Sequence, residues 1–276
     1  MRTATVIGWP ISHSRSPLIH GYWLNKYGIE GAYERRPVKP EELPAFVDAL
    51  RHGEIIGSNV TVPHKEMVLA LVDEADGIAR AIGAANTLWT EKGRVRATNT
   101  DAHGFLANLA AAFPDWRRSA GVPLVVGAGG AARAVLHALQ GAGCERIRLT
   151  NRSSQRAREL ARHFGGGIEV VDWSARATRL ADVGLLINST TQGMAANPPL
   201  DLPLAGLPGD AVVYDLVYVP LRTPLLAAAE ARGLRTLGGL GMLLHQAVIG
   251  FERWFGRRPE VTDELYRLVA ADIEAR

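Results

Sequence analysis

A chain of 276 residues, 47% hydrophobic and 21% charged, is long enough for two ordinary domains or one large one and has the composition of a globular protein with a full core. Its single cysteine, Cys144, excludes an internal disulfide and a cysteine-based metal site. With no apolar signal-peptide core in MRTATVIGWP and no apolar run of membrane-spanning length, a cytoplasmic protein without a membrane partner is expected. The formal charge of +3 and pI near 9.2 arise from acidic and basic residues mixed along the chain, with no Lys/Arg run interleaved with aromatics, so no nucleic-acid partner is expected.

The first apolar run, 5–8 (TVIG), reads as a buried strand. After it, Ser12-His13-Ser14-Arg15-Ser16-Pro17 sets hydroxyls at alternate positions, a spacing suited to a carboxylate or polyol ligand. Ser16 followed by Pro17 is also a good N-cap and N1 pair, so a structural role stands beside the binding one; Ser14 has no such local duty. A helix is expected over 41–51 and a strand over 55–60. That strand runs into Asn59-Val60-Thr61-Val62-Pro63-His64-Lys65, the densest polar cluster of the N-terminal half, with a helix expected over 64–72. Lys65 then sits just beyond a strand's C-terminal end, where open α/β sheets place ligands. The alternative is an exposed lysine in the first turn of a helix. Two facts weigh against it: a cation is disfavoured there, and only four of the 31 basic residues are lysines (Lys26, Lys39, Lys65 and Lys92).

Asn86-Thr87 and Asn99-Thr100-Asp101 are expected to end two further strands. Asp101 either caps a helix beginning near Ala102 or pairs with Lys65. The pair suits ketone reduction. As hydride reaches the carbon, charge builds on the oxygen; a lysine ammonium can supply the proton and a carboxylate can orient that ammonium.

Residues 113–122 (FPDWRRSAGV) give the clearest break, with turn chemistry at Pro114, Asp115 and Gly121. Beyond it, 122–150 reads as strand, glycine turn, helix and strand, the first half of a dinucleotide-binding fold. The turn Gly127-Ala128-Gly129-Gly130-Ala131-Ala132 follows GxGxxG/A. Gly127 permits the tight turn, Gly129 lets a pyrophosphate approach, and Ala132 allows close helix packing, with helix N-terminal amides facing the phosphates. A purely structural turn is the alternative. NAD-binding proteins usually carry Asp or Glu at the end of the second strand to hold the ribose 2′-OH. This chain reads Asn151-Arg152-Ser153-Ser154-Gln155-Arg156 there, two guanidinium groups and a hydroxyl that suit a 2′-phosphate, so NADP is the expected cofactor. The plainer reading makes Arg152 and Arg156 surface residues opening a helix over 153–164, with Ser153 its N-cap; cations at a helix N-terminus count against it.

Strands over 147–150, 184–189 and 211–216 and helices over 130–142 and 222–232 continue the alternation. The eight histidines show no HxxH or HExxH spacing, so no metal is expected, and Cys144 has no visible partner base. The pattern is that of an α/β protein of two domains. Residues 1–103 with 239–276 are the expected substrate-binding domain, completed by returning C-terminal helices, and 104–238 a Rossmann-type NADP-binding domain.

Nine segments stand in order from end to end: SHSRSP (12–17), NVTVPHK (59–65), GAANT (83–87), NTDAHG (99–104), GAGGAAR (127–133), NRSSQRA (151–157), INSTTQGM (187–194), YDLVY (214–218) and GLGMLLHQA (239–247). In these the chain closely resembles the shikimate dehydrogenase family. The resemblance implies NADP-dependent, reversible reduction of 3-dehydroshikimate to shikimate in aromatic amino-acid precursor synthesis, with a homodimer left open. Carried over by position, it implies that Ser14 and Ser16 bind the substrate carboxylate. Thr61, Asn86, Asp101 and Gln246 would hold ring hydroxyls, with Lys65 and Asp101 as the catalytic couple. Asn151, Arg152, Ser153 and Arg156 would grip the adenosine phosphate end. Thr190 and Gly193 would lie by the cofactor, and Tyr218 and Gly239 near nicotinamide and substrate. Three positions depart from the family pattern: Ala102 in place of a common Gly, Ser189 for Ala, and Gly238 for Asn or Asp. None removes a functional group. Neighbouring readings are a quinate/shikimate dehydrogenase, an aminoshikimate relative, or a non-catalytic nucleotide sensor, which would be expected to lack Lys65 or Asp101.

Overall fold

In the computed structural model, which describes residues 2–195 and 197–275, the N-terminal run forms strand β1 (Arg2–Gly8). Helix α1 (Ser16–Tyr27), strand β2 (Gly31–Pro37), helix α2 (Leu43–Arg51) and strand β3 (Gly57–Val60) follow. Then come β4 (Glu74–Ala75), helix α3 (Gly77–Ile82), the hairpin strands β5 (Thr87–Glu91) and β6 (Arg94–Thr98), and helix α4 (Asp101–Ala112). These strands make one six-stranded sheet, β2-β1-β3-β5-β6-β4. It is mixed: β2-β1-β3 and β6-β4 are parallel, whereas β3-β5 and β5-β6 are antiparallel. Helix α2 shows why the pattern folds this way. Leu43, Phe46, Val47 and Leu50 recur at helical spacing, and all four are buried against Ile7, Val60 and Leu88 of the sheet. Each such side chain contributes about 1.5–3 kcal/mol of burial.

The following stretch contains helix α5 (Trp116–Ser119) and then strand β7 (Leu124–Val126), helix α6 (Gly130–Gly141), β8 (Ile147–Thr150), α7 (Ser154–Phe164) and β9 (Ile168–Val171). After these come β10 (Leu185–Asn188), β11 (Val212–Asp215), α8 (Pro224–Glu230) and β12 (Arg235–Gly238). The second sheet is parallel throughout, in the order β12-β11-β10-β7-β8-β9. Strands β7, β8, β10 and β11 are buried along their whole length, as strands covered on both faces must be. The strand order reverses between β7 and β10. The crevice at the carboxyl ends of those two strands is therefore the switch point where open parallel sheets take ligands.

Helices α9 (Leu240–Phe255) and α10 (Asp263–Glu274) end the fold. The chain divides into two units, Met1–Gly104 with Leu244–Val269 and Phe105–Leu243 with Ala270–Arg276. Within the first, the Trp254 indole nitrogen donates to the Leu88 carbonyl at 2.9 Å. Gly57 makes room for it, since a Cβ there would stand 1.9 Å from that nitrogen. Among the described residues no helix is long and apolar enough to cross a membrane, and no three His, Cys, Asp or Glu gather as a metal site.

Three local expectations are corrected. No helix spans 64–72; only a 3-10 turn, Met67–Ala70, forms. The Lys65 carbonyl accepts the Ala85 amide at 2.7 Å, which withdraws it from the i to i+4 ladder a helix needs. Ser16 is not an N-cap: Arg15 holds that position, and Ser16 and Pro17 are the first two residues of α1. Thr87 begins a strand rather than ending one.

Candidate active site

In the first unit Lys65 follows the end of β3 and Asp101 opens α4, and the two side chains meet. Lys65 Nζ donates to Asp101 Oδ2 at 2.6 Å, with the lysine side chain 17% and the aspartate 6% exposed. Asp101 does not cap its helix. Its amide donates to Asn99 Oδ1 at 3.0 Å, and its carboxylate is taken up by Lys65 and Asn86. Asn86 Oδ1 accepts the Thr100 amide at 2.8 Å, which can only be a donor, so Nδ2 must face Asp101 and donates to Oδ1 at 2.8 Å. The same Nδ2 lies 2.9 Å from Thr100 Oγ1 and 3.2 Å from Gln246 Oε1. Three acceptors compete for two hydrogens, so this corner can also receive a hydrogen from a ligand hydroxyl.

Asn59 on β3 extends the row. Its Nδ2 donates to the Asn86 carbonyl at 3.1 Å and to Thr87 Oγ1 at 3.2 Å, and its Oδ1 accepts the Tyr33 hydroxyl at 2.6 Å. Burial pushes the Tyr33 phenol well above its ordinary range, with contacts to Ser16 and Asn59 offsetting part of that. Tyr33 stacks on the fully buried His20, ring centroids 3.9 Å apart. Ser14 and Ser16, both buried, lie with their hydroxyls 3.3 Å apart. Ser14 Oγ also accepts the Ser16 amide at 3.3 Å, so Ser14 does carry a local structural duty.

The serine end is electropositive. Arg35 Nε donates to the Ser14 carbonyl at 2.8 Å. Burial and then the Arg15 and Arg35 guanidinium groups hold His13 below the usual histidine range. Thr61 follows β3 and is packed so closely on β1 that a Cβ at Gly8 would lie 2.6 Å from its Cγ2. Of these residues, the sequence gives a signal for Asn59, a polar residue in a buried strand. It gives none for Tyr33 or His20.

In the second unit the glycine turn is held from both sides. The Gly127 amide donates to the Thr150 carbonyl at the end of β8 at 2.8 Å. The Ser189 amide and hydroxyl, in the loop after β10, donate to the Val126 carbonyl at 2.9 and 2.7 Å. Gly127 has φ of 118°, and a Cβ there would stand 2.6 Å from Ser189 Oγ, so only glycine fits. Gly129 is the N-cap of α6, and a Cβ on it would meet nothing within 4 Å. That leaves open space at a helix start whose first amides, from Gly130 and Ala131 onward, have no acceptor within the helix. Ala128 and Ala132 are buried beneath it. These residues fit the phosphates of a dinucleotide.

At the end of β8, Ser153 caps α7 by accepting the Arg156 amide at 3.4 Å, and Asn151 Nδ2 donates to the Ser153 carbonyl at 2.9 Å. The capping role is thus real, and Arg152, Ser153 and Arg156 stand at the surface beside the turn, both arginines exposed. Thr190 donates through its amide and hydroxyl to Asn188 Oδ1 at 3.1 and 2.7 Å, and Gly193 has φ of 92°. Tyr218 is half-buried beyond β11. Gly239 follows β12, where a Cβ would lie 2.1 Å from the Leu216 carbonyl oxygen.

Residues 6–88 match the family described as "Shikimate dehydrogenase substrate binding domain", 108–196 "Shikimate / quinate 5-dehydrogenase" and 239–263 "Shikimate 5'-dehydrogenase C-terminal domain". A shikimate dehydrogenase (NADP(+)) of Nitrobacter winogradskyi is 56% identical over 272 residues, spanning 99% of this chain and 97% of its own. The crystal structure of shikimate 5-dehydrogenase from Thermus thermophilus in complex with NADP(H) and shikimate is 37% identical, with a TM-score of 0.87 over 99% of this chain and 100% of that one. Quinate dehydrogenase from Corynebacterium glutamicum in complex with NAD is 29% identical, with a TM-score of 0.88 over 99% of each chain.

Proposed function

Since the chain belongs to the shikimate dehydrogenase family, we propose that it interconverts 3-dehydroshikimate and shikimate with NADP as cofactor, the first unit taking the substrate and the second the cofactor. The observation that carries the chemistry is the 2.6 Å contact between Lys65 and Asp101, with Asn86 holding the other carboxylate oxygen. Ser14 and Ser16 hold the substrate carboxylate in the positive field of Arg15 and Arg35. Thr61, Asn86 and Gln246 hold ring hydroxyls. Lys65 has one ammonium hydrogen committed to Asp101 and turns another to the ketone oxygen, passing its proton as negative charge grows there. Asp101 keeps the ammonium aimed, and in the oxidative direction the Lys65 amine takes the alcohol proton back.

NADPH, when bound, supplies the hydride. The turn from Gly127 to Ala131 cradles its pyrophosphate, and Asn151, Arg152, Ser153 and Arg156 hold the 2′-phosphate end. Thr190, Gly193, Tyr218 and Gly239 line the nicotinamide half. The reading includes a cytoplasmic location, supported by the lone cysteine, and small-molecule ligands rather than nucleic acid. Monomer and homodimer are separated by sedimentation.

A second reading, oxidation of quinate with NAD, is favoured by the fold shared with the quinate dehydrogenase and opposed by Arg152 and Arg156 at the end of β8. The test offers the purified protein shikimate or quinate with NADP⁺ or NAD⁺ and follows absorbance of the reduced nicotinamide. Fastest turnover of shikimate with NADP⁺ is expected. Turnover of quinate with NAD⁺ alone overturns the assignment.

A further inference from the structure

Asp215 ends β11 fully buried, and among the described residues its partners are three uncharged donors and no cation. Thr223 Oγ1 donates to Oδ2 at 2.7 Å, Asn188 Nδ2 to Oδ1 at 2.9 Å, and the Val217 amide to Oδ1 at 3.1 Å. Burial pushes this carboxyl above its usual range, with the three donors offsetting part of the shift. A buried carboxylate without a counter-ion is costly, and a neutral side chain would burden the fold less.

What Asp215 secures is the orientation of Asn188. With Asn188 Nδ2 committed to Asp215 and to the Gln192 carbonyl at 3.1 Å, the amide cannot flip, and its Oδ1 receives the Thr190 amide and hydroxyl. Thr190 Oγ1 in turn accepts the Gln192 amide at 3.1 Å. Gly193 closes the loop over the same carboxylate, where a Cβ would lie 3.7 Å from Thr223 Cβ and 3.9 Å from Asp215 Oδ2. The start of this loop walls the glycine turn, since a Cβ at Gly127 would stand 2.6 Å from Ser189 Oγ and 3.1 Å from Thr190 Cγ2. In the sheet, β10 lies on the opposite side of β7 from β8, whose end carries Arg152. A dinucleotide with its phosphate end at Arg152 and its pyrophosphate on the turn therefore brings its nicotinamide half to this loop.

We propose that Asp215 is a positioning residue for the nicotinamide half of the cofactor, acting through Asn188 to fix Thr190 and the 189–193 loop against the glycine turn. The inference rests on the dinucleotide reading of the second unit. Asp215→Leu preserves the branched shape but removes both acceptor oxygens, so Asn188 Nδ2 and Thr223 Oγ1 lose the partner that holds them.

The test measures the affinity of the full chain for NADP⁺ and for adenosine 2′,5′-bisphosphate, which has the phosphate end and no nicotinamide, by calorimetry. Asp215→Leu is expected to weaken NADP⁺ at least about tenfold, the worth of a charge-assisted hydrogen bond, while the bisphosphate binds within about twofold of wild type. Asn188→Ala gives the same split, including where Asp215→Leu does not fold. In the double variant the losses do not add, because both act through one contact. Equal weakening of both ligands, or unchanged NADP⁺ affinity, overturns the proposal. Failure of the wild type to bind either ligand overturns the dinucleotide reading, and the proposal with it.

Discussion

At Lys65 the side chain is partly exposed and tied at 2.6 Å to Asp101, so the ammonium can turn to a ligand without losing its orienting partner. Replacing it with alanine should lower kcat by roughly 10²–10⁴-fold, the usual worth of a positioned general acid, and leave NADP affinity, measured separately, unchanged. Lys65→Arg should be nearly as damaging, because guanidinium keeps its charge but does not readily release a proton. Near-normal turnover of Lys65→Arg would reduce the lysine to a point charge. The sequence marks this residue because the chain otherwise writes Arg; a helix first turn does not disfavour the cation here, since no α-helix starts at Lys65. His20 carries no such mark, yet it is wholly buried with neither ring nitrogen hydrogen-bonded. Burial lowers it from 6.5 to about 3, with nearby Asn59 offsetting part of the shift. The unfolded chain therefore takes up a proton below 6.5 that the folded chain refuses. Stability is whole above that pH and falls as pH drops toward 3, by about 3 kcal/mol at pH ~4.5. Urea unfolding across this range should be steeper in wild type than in His20→Phe, and equal slopes would show that His20 charges in the native state.

Among the elements, the β7–α6 turn and the β8–α7 start were the most legible, because each is local: a few consecutive residues set the backbone and the chemistry together. Gly127→Ala should lose most NADP binding, since φ of 118° and the Ser189 hydroxyl both exclude a side chain, at a strain of about 1–3 kcal/mol. Retention of wild-type affinity by that variant would mean the turn can move. At the end of β8, Arg152→Asp should weaken NADP⁺ about 10- to 150-fold and barely change NAD⁺, as titrations with both would read. Equal loss with the two would make Arg152 a support of the fold. The first sheet was less legible. Its antiparallel β3-β5-β6 portion inside a parallel frame depends on pairings between distant residues, and nothing in the run from Gly83 to Asp101 announces which strand it will join. The continuity of the polar row was hidden for the same reason: Asn59, Asn86 and Thr100 stand in polar motifs far apart in sequence, Tyr33 stands in none, and they are joined only through that sheet.

For the whole molecule, the first unit is sewn from two stretches of chain, whereas nearly all of the second is a continuous run from Phe105 to Leu243. Trp254 covers Gly57 and Leu88, yet it is made long after them. During synthesis, 151 residues separate Gly104 from Phe255, the end of α9. At about 5–20 residues per second, the first sheet waits about 8–30 s on the ribosome for the helix that seals it. The order of completion is thus the reverse of the order of translation: the later-encoded parallel sheet can close while the earlier one still shows its apolar face to chaperones. Ribosome-stalled chains carrying residues up to about 243 outside the exit tunnel should resist protease across 122–238 and be cut within 1–104, with protection of both appearing only once α9 has emerged. Protection of 1–104 in chains stalled near residue 150 would show instead that the first sheet holds without its late-made helix, and that the waiting interval leaves no vulnerable nascent state.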